Sequence, residues 1–285
     1  MTIGGLLLVL AAAVCHATWN YFVKRLNAGP ELVWLFSVVT VVLYLPLAAW
    51  FGARVAEFGA TELLFIAGST LLHLAYFLLL QTGYRYGDLS LVYPVARATG
   101  PLLSTAFAVA VLGEQLTPGV AIGGGIIVFG VLMLTRGPRL APEHVMRSLA
   151  FGAGTGVVIG SYTVWDAYAV STLLVPPLLL DYASSVGRSI LLAPVARRRW
   201  AGVRNLWRVH RPAVVVIALF NPLAYILVLT AMTFTPVVYV APLRETSVLL
   251  SVLAGSLLLG EGHVRARLAW ATVILTGVVI LAGAG

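Results

Sequence analysis

Charge is scarce in this sequence. Of 285 residues only 10% are Asp, Glu, Lys or Arg, while 60% are hydrophobic and the mean hydropathy is +0.99; soluble domains carry roughly 25% charged residues. That shortage excludes a soluble globule, whose surface needs charge to stay hydrated. Cysteine is nearly absent: Cys15 stands alone inside the first apolar run, so neither a disulfide framework nor a cysteine metal cluster can be built. Alternating apolar and polar residues are missing from runs such as Leu6 to Val14 and Val273 to Leu281, which excludes a membrane β-barrel. There is no GxxxxGK[ST] loop to hold nucleotide phosphates, no Gly-x-Ser-x-Gly elbow, and the histidines lie in unrelated segments. No catalytic residue, cofactor or metal site is assigned.

What is present is a succession of apolar runs, each near the roughly 20 residues that a helix needs to cross a bilayer. Gly, Pro and charge punctuation delimits spans near 3–23, 30–51, 60–83, 89–112, 118–135, 148–169, 173–196, 213–234, 237–259 and 266–283. The fold class is therefore all-α integral membrane, with about ten transmembrane helices. Ile3 to Val14 resembles a signal-peptide core, but no basic segment precedes it and Lys24 and Arg25 follow it, so it reads as an uncleaved first span. The one long polar connection is the basic stretch from Arg197 through Arg208 to Arg211. The net charge of +8 lies in short loops, where basic residues set membrane orientation and imply no nucleic-acid partner.

The chain repeats itself. Leu112-Gly113-Glu114 recurs as Leu259-Gly260-Glu261; at the same shift Arg97 matches Arg244, Ser104 matches Ser251 and Gly130 matches Gly277, while Trp19-Asn20 recurs at nearly that shift as Trp165-Asp166. The halves are 1–140 and 141–285. Five spans per half is an odd number, so the second copy enters the membrane upside down, which is a transporter signature. Of 18 Lys and Arg, three (Arg97, Arg188 and Arg244) fall inside spans. Fourteen of the rest fall on one side (Lys24, Arg25, Arg85, Arg136, Arg139, Arg147, the six from Arg197 to Arg211, Arg265 and Arg267) and only Arg54 on the other. The positive-inside rule then places both termini in the periplasm of a bacterial inner membrane.

The stretch Gly87-Asp88-Leu89-Ser90 to Tyr93-Pro94-Val95-Ala96-Arg97, running on to Leu112-Gly113-Glu114 and a Gly-rich span, resembles the repeat of the EamA family in the drug/metabolite transporter superfamily. The second half repeats it as Ala241-Pro242-Leu243-Arg244-Glu245 and Leu259-Gly260-Glu261, and His16-Ala17-Thr18-Trp19-Asn20 with Lys24 is similar to the first span of one branch of that family. The resemblance implies a ten-helix basket around a central cavity, a small-molecule substrate, and protons as a candidate coupling ion. It says nothing of oligomeric state and is weak for substrate, since the superfamily spans amino acids, drugs and sugar phosphates.

Ionisable groups within spans are costly to bury and mark function by default. The basic set Arg97, Arg188 and Arg244 balances the acidic set Asp166, Asp181 and Glu245. Arg97 and Arg244 occupy equivalent repeat positions, and a guanidinium at mid-membrane can grip a carboxylate, phosphate or phosphonate through two parallel hydrogen bonds. We expect them to bind substrate in a cavity walled by His16, Trp19, Asn20, Tyr93, Trp165 and Tyr239, with Glu245, Asp166 and Asp181 as proton-coupling candidates. Asp181 and Arg188, two turns apart on one helix face, equally read as a structural ion pair. With His16, Trp19, Asn20 and Trp165, the positions Tyr162, Asp166 and Tyr168, His73 with Tyr76, and Asn221 with Tyr225 form a second tier of aromatic and polar residues. Glycines 123, 124, 125, 130 and 277 read as close-contact sites between helices, and Glu114 and Glu261 as residues that end a span and close a loop. The expectation is a secondary transporter, exporting a small anionic or zwitterionic metabolite such as an amino acid or organophosphorus compound. The alternatives are an exporter of hydrophobic or cationic compounds and, from another class, an intramembrane enzyme or a sensor; an enzyme would concentrate a nucleophile and base near one interface.

Overall fold

The computed structural model describes residues 2–26, 28–54, 58–86, 89–134, 142–250 and 264–284. Among them every regular element is helical. Helices α1 (Ile3–Leu26), α2 (Pro30–Gly52), α3 (Ala60–Tyr86), α4 (Leu89–Phe107) and α5 (Pro118–Leu134) precede the sequence midpoint. They are followed by α6 (Pro142–Ser171), α7 (Pro177–Leu191), α8 (Ala193–Arg198), α9 (Trp200–Met232), α10 (Val237–Leu243), a helical turn α11 (246–250) and α12 (Val264–Gly283). Proline is the first residue of α2, α5, α6 and α7, where its missing N–H has no intrahelical partner to lose and its fixed φ suits the first turn.

Five of the described stretches are both long and apolar enough to cross a bilayer: Ile3–Val23, Pro30–Gly52, Ala60–Leu80, Val95–Leu112 and Trp200–Met232. Two shorter apolar helices cover Pro118–Met133 and Ala269–Gly283. The burial pattern is that of a protein solvated by lipid: Leu7, Val42, Leu71, Ile122 and Val279 lie on the outside, while Arg97, Asp166, Asp181, Arg188 and Glu245 are buried.

Each helix packs mainly on a helix from the other side of the sequence midpoint: α1 on α9, α3 on α6, α2 on α7, α4 on α6, and α5 on α12. Glycine permits two of these approaches. A Cβ on Gly123 would stand 2.9 Å from the Gly277 carbonyl oxygen, and one on Gly277 would stand 2.8 Å from that of Gly123, so α5 and α12 touch backbone to backbone. Gly130 meets Ile274 on the same seam, whereas Gly124 faces Pro242 of α10 and Gly125 faces open space. Gly152, Gly156 and Gly160, one per turn of α6, receive Val95, Thr99 and Leu103 of α4. This second seam brings the helix of Arg97 onto the helix of Asp166.

Two local features depart from simple spans. The basic stretch expected to be a loop is helical: α8 and the first turns of α9 form an arm that ends at His210, whose φ of −121° and ψ of 23° break the helix. Pro212 explains the break, because it lacks an N–H for the Arg208 carbonyl and disfavours helical geometry just before it. Further along, Pro222 leaves the Ala218 carbonyl without its helical donor, and Thr40 of α2 donates to that oxygen at 2.8 Å.

The expected span boundary at residue 112 is a wide turn, Ala108–Leu112, closed by Gly113 at φ +69°, a left-handed conformation that only glycine adopts without strain. The chain thus turned aims Glu114 at the start of α10, where its two carboxylate oxygens accept the backbone N–H groups of Val237 and Val238, both at 2.8 Å. These donors have no intrahelical acceptor, so the carboxylate satisfies them and complements the positive end of the helix. Leu259-Gly260-Glu261 lies outside the described residues.

Candidate functional site

A cavity of about 70 Å³ lies inside the bundle, room for a few water molecules, and seven segments line it. From α1 come Ala12, His16 and Trp19; from α3, His73, Tyr76 and Phe77; from α4, Arg97; from α6, Tyr162. From α7 come Asp181 and Arg188; from α9, Asn221, Ala224, Tyr225 and Val228; and from the end of α10, Arg244. The polar members stand one helical turn apart on their helices (His16 and Trp19, Asn221 and Tyr225), which puts each set on one inward face.

Arg97 is held on two sides. Its Nη1 donates to Glu245 Oε1 at 3.3 Å and its Nη2 to His16 Nε2 at 2.8 Å, a bond that requires the neutral imidazole with its free lone pair on Nε2. Glu245 is buried behind the cavity wall, and its other oxygen, Oε2, has no hydrogen-bond partner among the described residues. Arg244, one residue earlier, sits differently. Its Nη2 donates to the Tyr162 hydroxyl at 3.3 Å, its guanidinium carbon lies 6.0 Å from the centre of that ring, and no described carboxylate comes within ion-pair distance. Both residues follow Pro242 on a tightened stretch in which Glu245, Ser247 and Val248 bond three residues back rather than four. The span that carries them is therefore interrupted at the cavity.

A second cluster stands beside the first. Asp166 is fully buried; its Oδ2 accepts the Tyr225 hydroxyl at 2.5 Å and lies 3.0 Å from His73 Nε2, while Oδ1 has no partner among the described residues. The His73 ring lies 4.3 Å from Tyr162, centre to centre, so the tyrosine that receives Arg244 also packs on the histidine that meets Asp166. Asp181 and Arg188 do not form the ion pair their spacing suggests. Arg188 donates to Ser185 at 2.9 Å and its guanidinium lies 5.4 Å from the Phe77 ring centre, while Asp181 Oδ2 is buried without a partner among the described residues. A buried charge without a partner is costly, so this arrangement leaves Asp181 suited to a cation arriving in the cavity.

Of the expected wall residues, the structure brings His16, Trp19, Arg97 and Arg244 together and leaves others out. Trp19 stands edge-on to His16 at 4.9 Å with its indole N–H buried and unbonded among the described residues. Trp165 corrects the expectation: its indole N–H donates to the Phe65 carbonyl at 2.8 Å and its ring stacks on Phe65 at 4.2 Å, wedged between α3 and α6. Tyr239 is likewise not a wall residue, since its hydroxyl reaches the Ala284 carbonyl at 3.4 Å near the end of the bundle. Asn20 does not line the cavity, and the Tyr93 side chain lies outside the described residues. Tyr168, of the second tier of the sequence reading, does not line this cavity and stacks on Phe65 at 5.2 Å, whereas Tyr162, His73, Tyr225, Tyr76 and Asn221 of that tier line it too. Their pairing across helices was not visible along the chain, but the one-turn spacing on each helix was.

Comparison with known proteins gives a family match over the first half of the chain and a likeness of fold over nearly all of it. No curated protein matches the chain. Twenty-eight chains of solved structures do; one, described only as a crystal structure of a protein, is similar over 98% of each chain with a TM-score of 0.73 at 16% identity, a likeness of fold alone. The sequence profile described as the EamA-like transporter family matches residues 3–136. With apolar helices outside and charged residues gathered within, this is a multi-pass membrane protein whose residues 3–136 match the EamA-like transporter family, a family of the drug/metabolite transporter superfamily.

Proposed function

We propose that the chain is a secondary transporter of the bacterial inner membrane that exports a small anionic or zwitterionic metabolite, an amino acid or organophosphorus compound, by alternating access between halves 1–140 and 141–285. The observation that carries the reading is that Arg97 and Arg244, equivalent in the two sequence repeats, line one cavity while only Arg97 is matched by a described carboxylate. Arg244 offers its planar fork to an incoming anion, with Tyr162 orienting it. Asp181, which lines the same cavity, supplies a partner for an ammonium group, and this favours a zwitterion within the class. Reciprocal packing of α1 on α9 and α3 on α6 supports two halves related by an inverted two-fold, since exchanging first and third spans between halves maps one contact onto the other.

Trp19, Tyr76 and Phe77 beside Asp181 favour the competing reading, a cationic or hydrophobic substrate. Arg244→Lys separates the two. In proteoliposomes loaded with candidate amino acids and phosphonates, uptake or efflux of an anionic or zwitterionic substrate falls at least tenfold in Arg244→Lys while folded yield stays normal. Transport of a cation by that variant at wild-type rate overturns the anion reading.

A further inference from the structure

The helical arm before His210 creates a second feature, on the outer face of the bundle and apart from the central cavity. A groove of about 490 Å³ runs between this arm and α2, and Trp34, Val38, Val39, Trp200, Arg204 and Trp207 are among the residues that line it. Its chemistry is graded along its length. Pro30 begins α2, so Val38 and Val39 lie more than two turns along it toward the membrane interior, whereas Arg204 and Arg208, one turn apart and both exposed, stand at the arm. The Arg211 guanidinium lies 5.0 Å from the centre of the Trp207 ring. No acidic residue occurs from Ala193 to Met232, and Glu31, a carboxylate at this corner, is already engaged by Arg199 at 3.1 Å.

We propose that this groove is a binding site for an anionic phospholipid, with one acyl chain along Val38 and Val39 beneath the tryptophan rings and the phosphate on Arg204 and Arg208. Charge complementarity carries the choice of occupant: Arg204 lines a slot of indole and valine, Arg208 stands one turn further along the arm, and neither has an ion-pair partner among the described residues, at the level where tryptophan marks the lipid–water boundary. A peptide in the same slot needs backbone partners, and the groove offers few, since the Trp34 N–H is already given to the Ser189 carbonyl at 3.0 Å.

The test uses the full chain in mixed micelles titrated with phosphatidylglycerol or phosphatidylcholine carrying brominated acyl chains, which quench tryptophan on contact. The expected result is half-maximal quenching at a mole fraction of phosphatidylglycerol about 25-fold lower, with the preference reduced about fivefold in Arg204→Gln and brought close to parity in Arg204→Gln/Arg208→Gln. Arg204→Lys/Arg208→Lys, which keeps the charge, retains most of the preference. Equal quenching by the two lipids, a preference unmoved in the double Gln variant, or displacement by soluble glycerol phosphate overturns the proposal. Trp207→Phe identifies the reporter, because removing it lowers the headgroup-sensitive part of the quenching, leaving the share of Trp34 and Trp200, if the lipid lies in this groove and leaves that part intact if it lies elsewhere.

Discussion

At the scale of single residues, the two repeat-equivalent arginines are predicted to respond differently to the same substitution. Arg97→Gln leaves Glu245 buried without its ion-pair partner at 3.3 Å, and loss of one member of a buried pair costs roughly 3–5 kcal/mol. Folded yield and melting temperature should therefore fall. Adding Glu245→Gln removes the stranded charge, so the double variant should recover most of the loss, which a double-mutant cycle of melting temperatures measures directly. Arg244→Gln strands no described carboxylate and should melt close to wild type. If both single variants are equally unstable, Arg244 has a structural acid partner after all and the asymmetry is wrong. Asp166 offers a separate test. Its Oδ2 is gripped by Tyr225 and His73, and Asp166→Asn keeps the shape but loses the charge. Transport driven by an imposed proton gradient should drop in this variant while exchange without a gradient persists; the same loss in both assays assigns Asp166 to positioning rather than to coupling.

At the scale of elements, Gly113 and Glu114 act as one device. The left-handed glycine ends the fourth span and turns the carboxylate onto the first two N–H groups of α10, the helix whose other end carries Arg244. Glu114→Ala leaves those donors unmet, which costs about 1–2 kcal/mol for a helix cap, and it releases the helix that positions Arg244. Melting temperature should fall, and the KM for an anionic substrate should rise more than that of Glu114→Gln, which retains one acceptor. Gly113→Ala has space for its methyl group but not the conformation, so it should lose about 1 kcal/mol by strain alone. The sequence made the stop legible, because Leu-Gly-Glu ends an apolar run, but not the destination of the glutamate, which depends on a partner more than a hundred residues away. Trp165 shows the same limit: its neighbour Asp166 marks it as unwilling to face lipid, yet whether it meets cavity or helix depends on Phe65 and Gly68 across the seam. The basic arm reads as a loop for a local reason. Six arginines in a short stretch look like a loop until Val203 and Leu206, three residues apart, are seen to bury one face against α2.

At the scale of the whole molecule, sidedness follows from which ends the packing brings together. Gly5 near the start of α1 stands beside Thr235, Tyr239 reaches Ala284 near the end of α12, and Glu114 caps α10 just after Thr235 and Pro236. Both described chain ends therefore share one end of the bundle with the start of α10. Glu31 and Arg199 join at the other end of α2 from Arg54, and 23 helical residues at 1.5 Å each separate those ends by roughly 35 Å, the thickness of a bilayer core and part of its interface. Of the fourteen basic residues counted along the sequence, the twelve in described segments, the arm included, belong to the Glu31 end, and among the described residues Arg54 alone belongs to the other. The positive-inside rule then predicts that the termini are periplasmic and the arm cytoplasmic. A reporter that matures only in the cytoplasm, fused after Gly285, should be dark. In a Cys15→Ser background, Arg54→Cys should be labelled by a membrane-impermeant maleimide added to intact spheroplasts, and Arg204→Cys only after the membrane is opened. The reverse labelling order with a bright fusion inverts the whole molecule and would make the groove beside the arm face the outer leaflet. Labelling of both cysteines in intact spheroplasts instead breaks the link between α2 and the bilayer normal, and with it the span count on which the inverted halves rest.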